Sequence, residues 1–215
     1  MRLTLHTFLT LDGVMQSPGD RNEDPDGPFE YGGWQFAYGD EEVGATVAGW
    51  LEKAEAFLLG RKTYQIFSGY WPNVTDPGNP IATKLNALPK YVASTTLEAV
   101  EWAHSSLLGT DTPGEVARLK EQPGGELQVH GSGDLARTLV DHDLVDEYRL
   151  LCYPLHLGTG KRLFQDGVRA GALRLVSSAT TSAGVVIATY APAGPVEPGS
   201  PVNPAQRTSP PLLHH

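Results

Sequence analysis

The hydrophobic and polar positions of this chain fall into strand-length and helix-length pieces that take turns along it. Leu3 and Leu5 alternate with more polar neighbours and predict a first strand over residues 2–9, closed by a turn at Asp12-Gly13. Acid at Asp40-Glu41-Glu42 opens a helix running to about Lys53, where the helix dipole favours it. A strand at 55–59, a helix at 61–68, a short helix ending at Leu88 and a strand at 90–93 follow. A short strand within 100–108, a helix at 112–121, a strand at 126–130, a helix at 132–141 and a strand at 145–152 continue the series. Segments 173–179 and 184–190 read as an antiparallel pair joined by 180–183. That order predicts an α/β sheet with an antiparallel edge.

Two stretches follow no period. Residues 17–33 are rich in Pro, Gly and Asp, and a loop of that length inside a compact domain serves binding or closure. It carries Phe29 and Tyr31 and runs into Trp34, so Phe29 and Trp34 are expected to wall a substrate pocket. The other reading of Trp34 is an anchor for the helix that follows. From Pro192 the chain turns to Pro, Gly, Ser and Thr, which cannot bury enough to offset their ordering entropy. The expectation is one domain over 1–192 and a disordered tail over 193–215, ending in His214-His215.

Composition narrows the function classes. With 215 residues and 40% apolar content the chain supports one substantial core, and no run is long enough to span a membrane. A net charge of −9 argues against a nucleic-acid partner, because phosphate backbones demand a basic surface. The one cysteine, Cys152, excludes an internal disulfide and fits a reducing, cytoplasmic setting; in its strand it reads as a small hydrophobe.

Two strand-to-helix turns carry the chemistry. In the first, Phe57-Leu58-Leu59 runs into Gly60-Arg61-Lys62-Thr63; in the second, Val129-His130 runs into Gly131-Ser132-Gly133, with Asp134 and Leu135 continuing into a helix. Free N–H groups and the positive end of a helix converge at such a turn, which favours an anion. Arg61 adds a planar donor fork, Lys62 a point charge and Thr63 a hydroxyl. Two such turns suit a ligand with two separated phosphate groups, a dinucleotide above all. Plain glycine turns and a solvated basic helix start are the competing readings.

Other motifs fail their tests. Gly131–Ala136 fits G-x-G-x-x-A, but no acid closes the next strand at Leu151-Cys152-Tyr153-Pro154, against an ordinary Rossmann unit. Gly158-Thr159-Gly160-Lys161 lacks the upstream glycine and the Ser/Thr of a P-loop. The histidines show no metal spacing and G-x-S-x-G is missing, so neither a metal site nor a serine hydrolase is expected. Asp12, where the first strand meets the long loop, is either a proton-passing acid or an Asp-Gly turn bonded to local backbone.

Taken together, Leu9-Thr10-Leu11-Asp12-Gly13-Val14, Leu59-Gly60-Arg61-Lys62-Thr63-Tyr64, Tyr91-Val92-Ala93-Ser94-Thr95-Thr96, Val129-His130-Gly131-Ser132-Gly133 and Pro154–Phe164 stand in a specific order. The set resembles the dihydrofolate reductase-like superfamily, in the bacterial branch related to the reductase domain of the riboflavin-biosynthesis deaminase-reductase. The likeness covers residues 1–190 or so. It implies a three-layer α/β fold with a mainly parallel central sheet, NADPH as cofactor, a small-molecule substrate and a homodimer.

It further implies that Gly60, Arg61, Lys62 and Thr63 hold the pyrophosphate and 2′-phosphate, and that Ser94 and Thr95 lie by the adenosine. Gly131, Ser132 and Gly133 would lie under the pyrophosphate and Gly13-Val14 beside the nicotinamide, with Asp12 relaying a proton or orienting its neighbours. The long loop holds several acids, Asp20, Glu23, Asp24, Asp26 and Glu30, instead of the single pterin-contacting acid of true dihydrofolate reductases. No zinc deaminase pattern is present. The reading is an NADPH-dependent reductase of a small molecule; the rival is a nucleotide-binding module without turnover.

Overall fold

A computed structural model describes residues 1–38 and 41–199. Its centre is one eight-stranded sheet in the order β4-β3-β2-β5-β1-β6-β8-β7. The strands are β1 (Arg2–Thr10), β2 (Ala54–Gly60), β3 (Lys90–Ala93), β4 (Ser105–Leu107), β5 (Glu126–His130), β6 (Glu147–Tyr153), β7 (Leu173–Thr180) and β8 (Val186–Pro192). The first six run parallel, while β8 pairs antiparallel with β6 and with β7. The helices are α1 (Glu41–Leu51), α2 (Arg61–Tyr70), α3 (Pro80–Ala87), α4 (Thr112–Glu121) and α5 (Gly133–Asp141). The alternation read from the chain is therefore realised, with the fourth strand confined to 105–107. Asp40 and residues 200–215 lie outside the described residues, and Ala193 and Gly194 still bond to the backbone of Ala172.

Helix starts follow local chemistry. Asn79 Oδ1 accepts the N–H groups of Ile81 (3.1 Å) and Ala82 (3.0 Å), with Pro80 at the first helical position. Asp111 Oδ1 accepts from Gly114 N–H at 3.1 Å to start α4.

The period-two alternation of β1 divides the core between the two sheet faces. Leu3, Leu5 and Leu9 join Leu127 and Val129 of β5 against Val116 and Leu119 of α4 and Leu135 and Leu139 of α5. On the other face Phe57 and Leu59 pack with Leu51, Tyr64 and Leu85, and Val43 and Trp34 pack with Leu151 and Tyr153. Each fully buried Leu contributes roughly 1.5–3 kcal/mol. No helix among the described residues is long and apolar enough to cross a membrane.

That second face also carries a buried polar column. The register sets Thr4 beside Glu147, and His6 beside both Arg149 and His130. Arg149 forks onto Glu126 at 2.5 and 2.9 Å, and its Nε donates to Glu147 at 2.7 Å. Gln128 Nε2 donates to Glu126 and to the carbonyl of Trp50, both at 2.7 Å.

Truncating one member of a buried ion set strands the others. Arg149→Met should therefore cost about 3–5 kcal/mol in urea denaturation. Adding Glu126→Gln and Glu147→Gln should recover much of that loss; a triple variant as unstable as the single one would show that the arginine acts by packing alone.

Candidate functional site

A groove of about 1010 Å³ opens at the C-terminal ends of β1, β2, β3 and β5. Open parallel sheets bind ligands at such ends.

One end is made by the two glycine turns. Ser132 joins them from a left-handed backbone (φ 57°). Gly60 N–H donates to Ser132 Oγ at 3.0 Å, and Ser132 N–H donates to Thr63 Oγ1 at 3.1 Å. Ser132 Oγ donates in turn to the His130 carbonyl at 3.0 Å. Gly131 is also left-handed (φ 56°), and a Cβ on Gly133 would stand 3.3 Å from Met15 Sδ, so both glycines answer a local demand. Gly60, Arg61, Lys62, Thr63, Gly131, Ser132, Gly133, Asp134 and Leu135 all line the groove, as do Ser94 and Thr95. Ser94 Oγ accepts the N–H groups of Thr96 (3.1 Å) and Leu97 (2.9 Å), so it shapes its own turn.

The two neighbouring cations of α2 differ in their commitments. Arg61 is exposed and among the described residues meets only Gln65 Oε1, at 3.2 Å, one turn along. Lys62 donates to Asp24 Oδ1 at 2.7 Å and to Asp26 Oδ2. Lys161 donates to Asp24 Oδ2 at 2.6 Å and to Asp26 Oδ2 at 3.0 Å. Gln16 Nε2 holds the carbonyls of Asp24 (3.0 Å) and Asp26 (2.9 Å), which fixes the acids in place.

Burial pushes the Asp24 carboxyl up, but Lys161 and Lys62 outweigh it and hold it low. Hydrogen bonds from Lys62 and then Lys161 bring Asp26 to about 2. Burial alone would lower Lys62, yet the two carboxylates hold it above the ordinary ammonium range. Glu23, also in the lining, is pushed up by burial, although Gly19 N–H donates to it at 2.6 Å.

Five expected site residues stand outside the lining: Asp12, Gly13, Val14, Phe29 and Trp34. Trp34 is buried, donates from Nε1 to the Gln16 carbonyl at 2.8 Å and sets its edge on Tyr153 at 5.3 Å. Phe29 meets Tyr31 edge-on at 5.9 Å and backs onto Gly160, whose absent Cβ would lie 2.8 Å from its ring. The loop thus buries Trp34, backs Phe29 onto Gly160, leaves Tyr31 exposed and turns Gln16, Asp24 and Asp26 toward the groove. Val14 is fully buried and bridges to Arg162, with left-handed Gly13 as the turn before it (φ 79°); the next residue, Met15, is the one that reaches the lining.

Asp12 is an acceptor clamp. It takes Thr10 Oγ1–H at 2.5 Å, Leu157 N–H at 3.2 Å and Gly158 N–H at 2.8 Å, with Arg162 Nη2 at 3.4 Å. Burial raises its carboxyl, and the Thr10, Gly158 and Leu157 donors together outweigh that and bring it to about 2. This geometry suits the orienting role named above rather than the proton relay.

Among the lining residues that the sequence reading did not assign to the site are His6, His130 and Lys161. His6 is buried, stacks on His130 at 4.6 Å and meets the edge of Trp50 at 5.2 Å. Burial, then His130 and Arg149, lower its pKa well below the ordinary imidazole value. Burial and Arg149 bring His130 to about 4, against a smaller upward pull from Glu126. Both rings are neutral near pH 7. Lys161 was visible only within a failed P-loop and the Pro154–Phe164 segment of the resemblance, and His6 only as one of the more polar residues that alternate with Leu3 and Leu5.

The model of the RibD C-terminal domain family matches residues 2–187. The uncharacterized protein YyaP of Bacillus subtilis (strain 168) is 30% identical over 191 residues, covering 88% of this chain and 94% of that protein. Among solved structures, a Shewanella sp. PV-4 protein described with riboflavin biosynthesis superposes with a TM-score of 0.68 at 18% identity, over 90% of this chain and 99% of the other. The diaminohydroxyphosphoribosylaminopyrimidine deaminase/5-amino-6-(5-phosphoribosylamino)uracil reductase of Thermotoga maritima gives 0.59 at 15% identity, over 89% of this chain and 56% of that one. These structural likenesses show a shared fold.

The Asp12 clamp makes stability depend on acid. Its folded value of about 2 lies below the ordinary 3.8, so its contribution is complete above the latter and is lost as pH falls toward the former. Asp12→Asn should cost about 1–3 kcal/mol near neutral pH. The same variant should show a flatter fall in urea midpoint between about pH 5 and pH 2.5. Equal slopes for variant and parent would remove Asp12 from the acid response.

Proposed function

Because the chain belongs to the RibD C-terminal domain family, we propose that it is an NADPH-dependent reductase of a small molecule. The observation that carries this reading is the joining of two helix-start turns through Ser132 at one end of the groove. Phosphates favour such a place, because unpaired N–H groups and helix dipoles point to it.

The residues present fit the cofactor. The groove is of ligand size, the glycines at 131 and 133 leave the turn open, and Thr7 Oγ1 is a buried hydroxyl in the lining without a partner among the described residues. Gly133, the first residue of α5, would supply a backbone donor, since the N–H groups of Gly131 and Ser132 already donate to the His6 carbonyl and Thr63 Oγ1. Arg61 would supply the planar fork for a 2′-phosphate. Ser94 and Thr95 would border the adenosine, and Met15 rather than Val14 would face the ring. Lys62 joins only if a phosphate shares it with Asp24 and Asp26. Bound NADPH supplies a hydride; this chain's residues bind it, orient it and exclude water. The Thermotoga maritima protein is named for a reduction, and that reaction class is what we carry over, without its substrate.

A homodimer belongs to the same reading. β7 is an open edge whose Leu175 and Val176 are half exposed. Cytoplasmic residence does too, since Cys152 is a free thiol.

The test is titration with NADPH and NADH, followed by NADPH oxidation across quinones, pterins and ribosylaminopyrimidines. Arg61→Ala should weaken NADPH about ten- to a hundred-fold, the worth of one charge-assisted bond, and NADH much less. Equal losses would show that Arg61 does not read the 2′-phosphate, and binding without turnover of any panel member would favour the non-catalytic module. In light scattering Leu175→Lys should shift a dimer to monomer; an unchanged mass would place the interface elsewhere.

A further inference from the structure

The wall of the groove that faces α1 has its own chemistry, although it adjoins the second glycine turn, whose Gly131 N–H donates to the His6 carbonyl at 3.0 Å. His6, Phe8 and Trp50 line it together with Val47, Phe67 and Leu85. Its polar floor is the pair of stacked imidazoles. His6 Nε2 is held by Thr4 Oγ1 at 2.8 Å, and His130 Nε2 by Gln128 Oε1 at 3.1 Å. With one nitrogen anchored, one face on His130 and an edge on Trp50, the His6 ring has a single orientation. Its other nitrogen, Nδ1, is buried and has no hydrogen-bond partner among the described residues. An unmet polar atom in a buried site costs about 1–3 kcal/mol, which a ligand can recover.

The charges nearby are already matched. Arg149, behind the ring of Trp50, is forked onto Glu126 and bonded to Glu147, which also takes Arg2. Lys62 and Lys161 are taken by Asp24 and Asp26. Arg61, which has no carboxylate partner among the described residues, is given to the cofactor's 2′-phosphate in the reductase reading. An anionic substrate group beside Trp50 would therefore have to compete for a cation already in use, and a cation would sit against Arg149 and two uncharged rings.

The geometry points to an uncharged, flat ring compound without a phosphate group as the substrate, lying along Trp50 with one polar edge atom on His6 Nδ1. The assignment rests on the reductase reading for the word substrate, and on the groove alone for the ring. The neutral imidazole presents a lone pair or an N–H at that atom, whichever the Thr4 bond leaves. His6 is then the residue that sets specificity, since a site built for one hydrogen bond rejects compounds that lack it.

The test uses a matched pair, 5-amino-6-ribitylaminouracil and its 5′-phosphate, titrated calorimetrically into the full-length chain with and without saturating NADP⁺. The phosphate-free compound should bind at least about ten-fold more tightly than the ester. His6→Leu should lose about ten-fold or more for it, and His6→Asn, whose amide reaches the place of Nδ1, should stay within roughly threefold of the parent. NADP⁺ affinity should be unchanged in both variants, which also shows that they fold.

Tighter binding of the ester, equal binding by His6→Leu, or no binding of either compound to a chain that binds NADP⁺ would each overturn the inference. A chain that binds the ring compound but not NADP⁺ would instead overturn the reductase reading and leave His6 as a ring-binding residue.

Discussion

The open end of the groove depends on how Ser132 is held. A serine in the left-handed region is strained by roughly 1–2 kcal/mol. Bonds to Gly60, Thr63 and the His130 carbonyl offset that strain, and through them the start of α2 and the start of α5 become one surface. β2 and β5 are hydrogen-bonded neighbours, so their C-terminal turns emerge side by side and one short side chain spans them. Without that link each turn would be an ordinary helix start.

Charge is arranged more tightly than the composition suggests. The long loop puts Asp24 and Asp26 between Lys62 and Lys161, so the mouth of the groove is balanced rather than basic. Arg61, exposed on the same helix start, bonds to Gln65 and has no carboxylate partner among the described residues. The loop follows from the same economy. Trp34 and Phe29 supply burial by packing on Tyr153 and Gly160, and Asp24 and Asp26, whose carbonyls Gln16 holds, turn to the groove. The sheet carries the same logic inward, where Glu126, Glu147 and Arg149 satisfy one another beneath Trp50 and leave the imidazoles above them neutral.

What the sequence by itself determined is whatever depends on near neighbours. Alternation at Leu3 and Leu5, glycine at 60 and 131, and Asn79-Pro80 each restrict backbone angles or satisfy helix ends within a few residues. Elements, their order and the two anion-favouring turns were therefore legible, and the ordered motifs pointed to the family that matches residues 2–187. Side-chain destinations were not. Trp34 was legible as either a pocket wall or a helix anchor, because a Pro/Gly loop has no period to say which way it folds. Asp12 looked available because its partners Leu157 and Gly158 are far along the chain. His6 meets His130 and Arg149 only because β1 lies between β5 and β6. Strand order is decided by which faces must be buried together, and that competition is settled over the whole core, so only the tertiary structure could decide which polar groups meet.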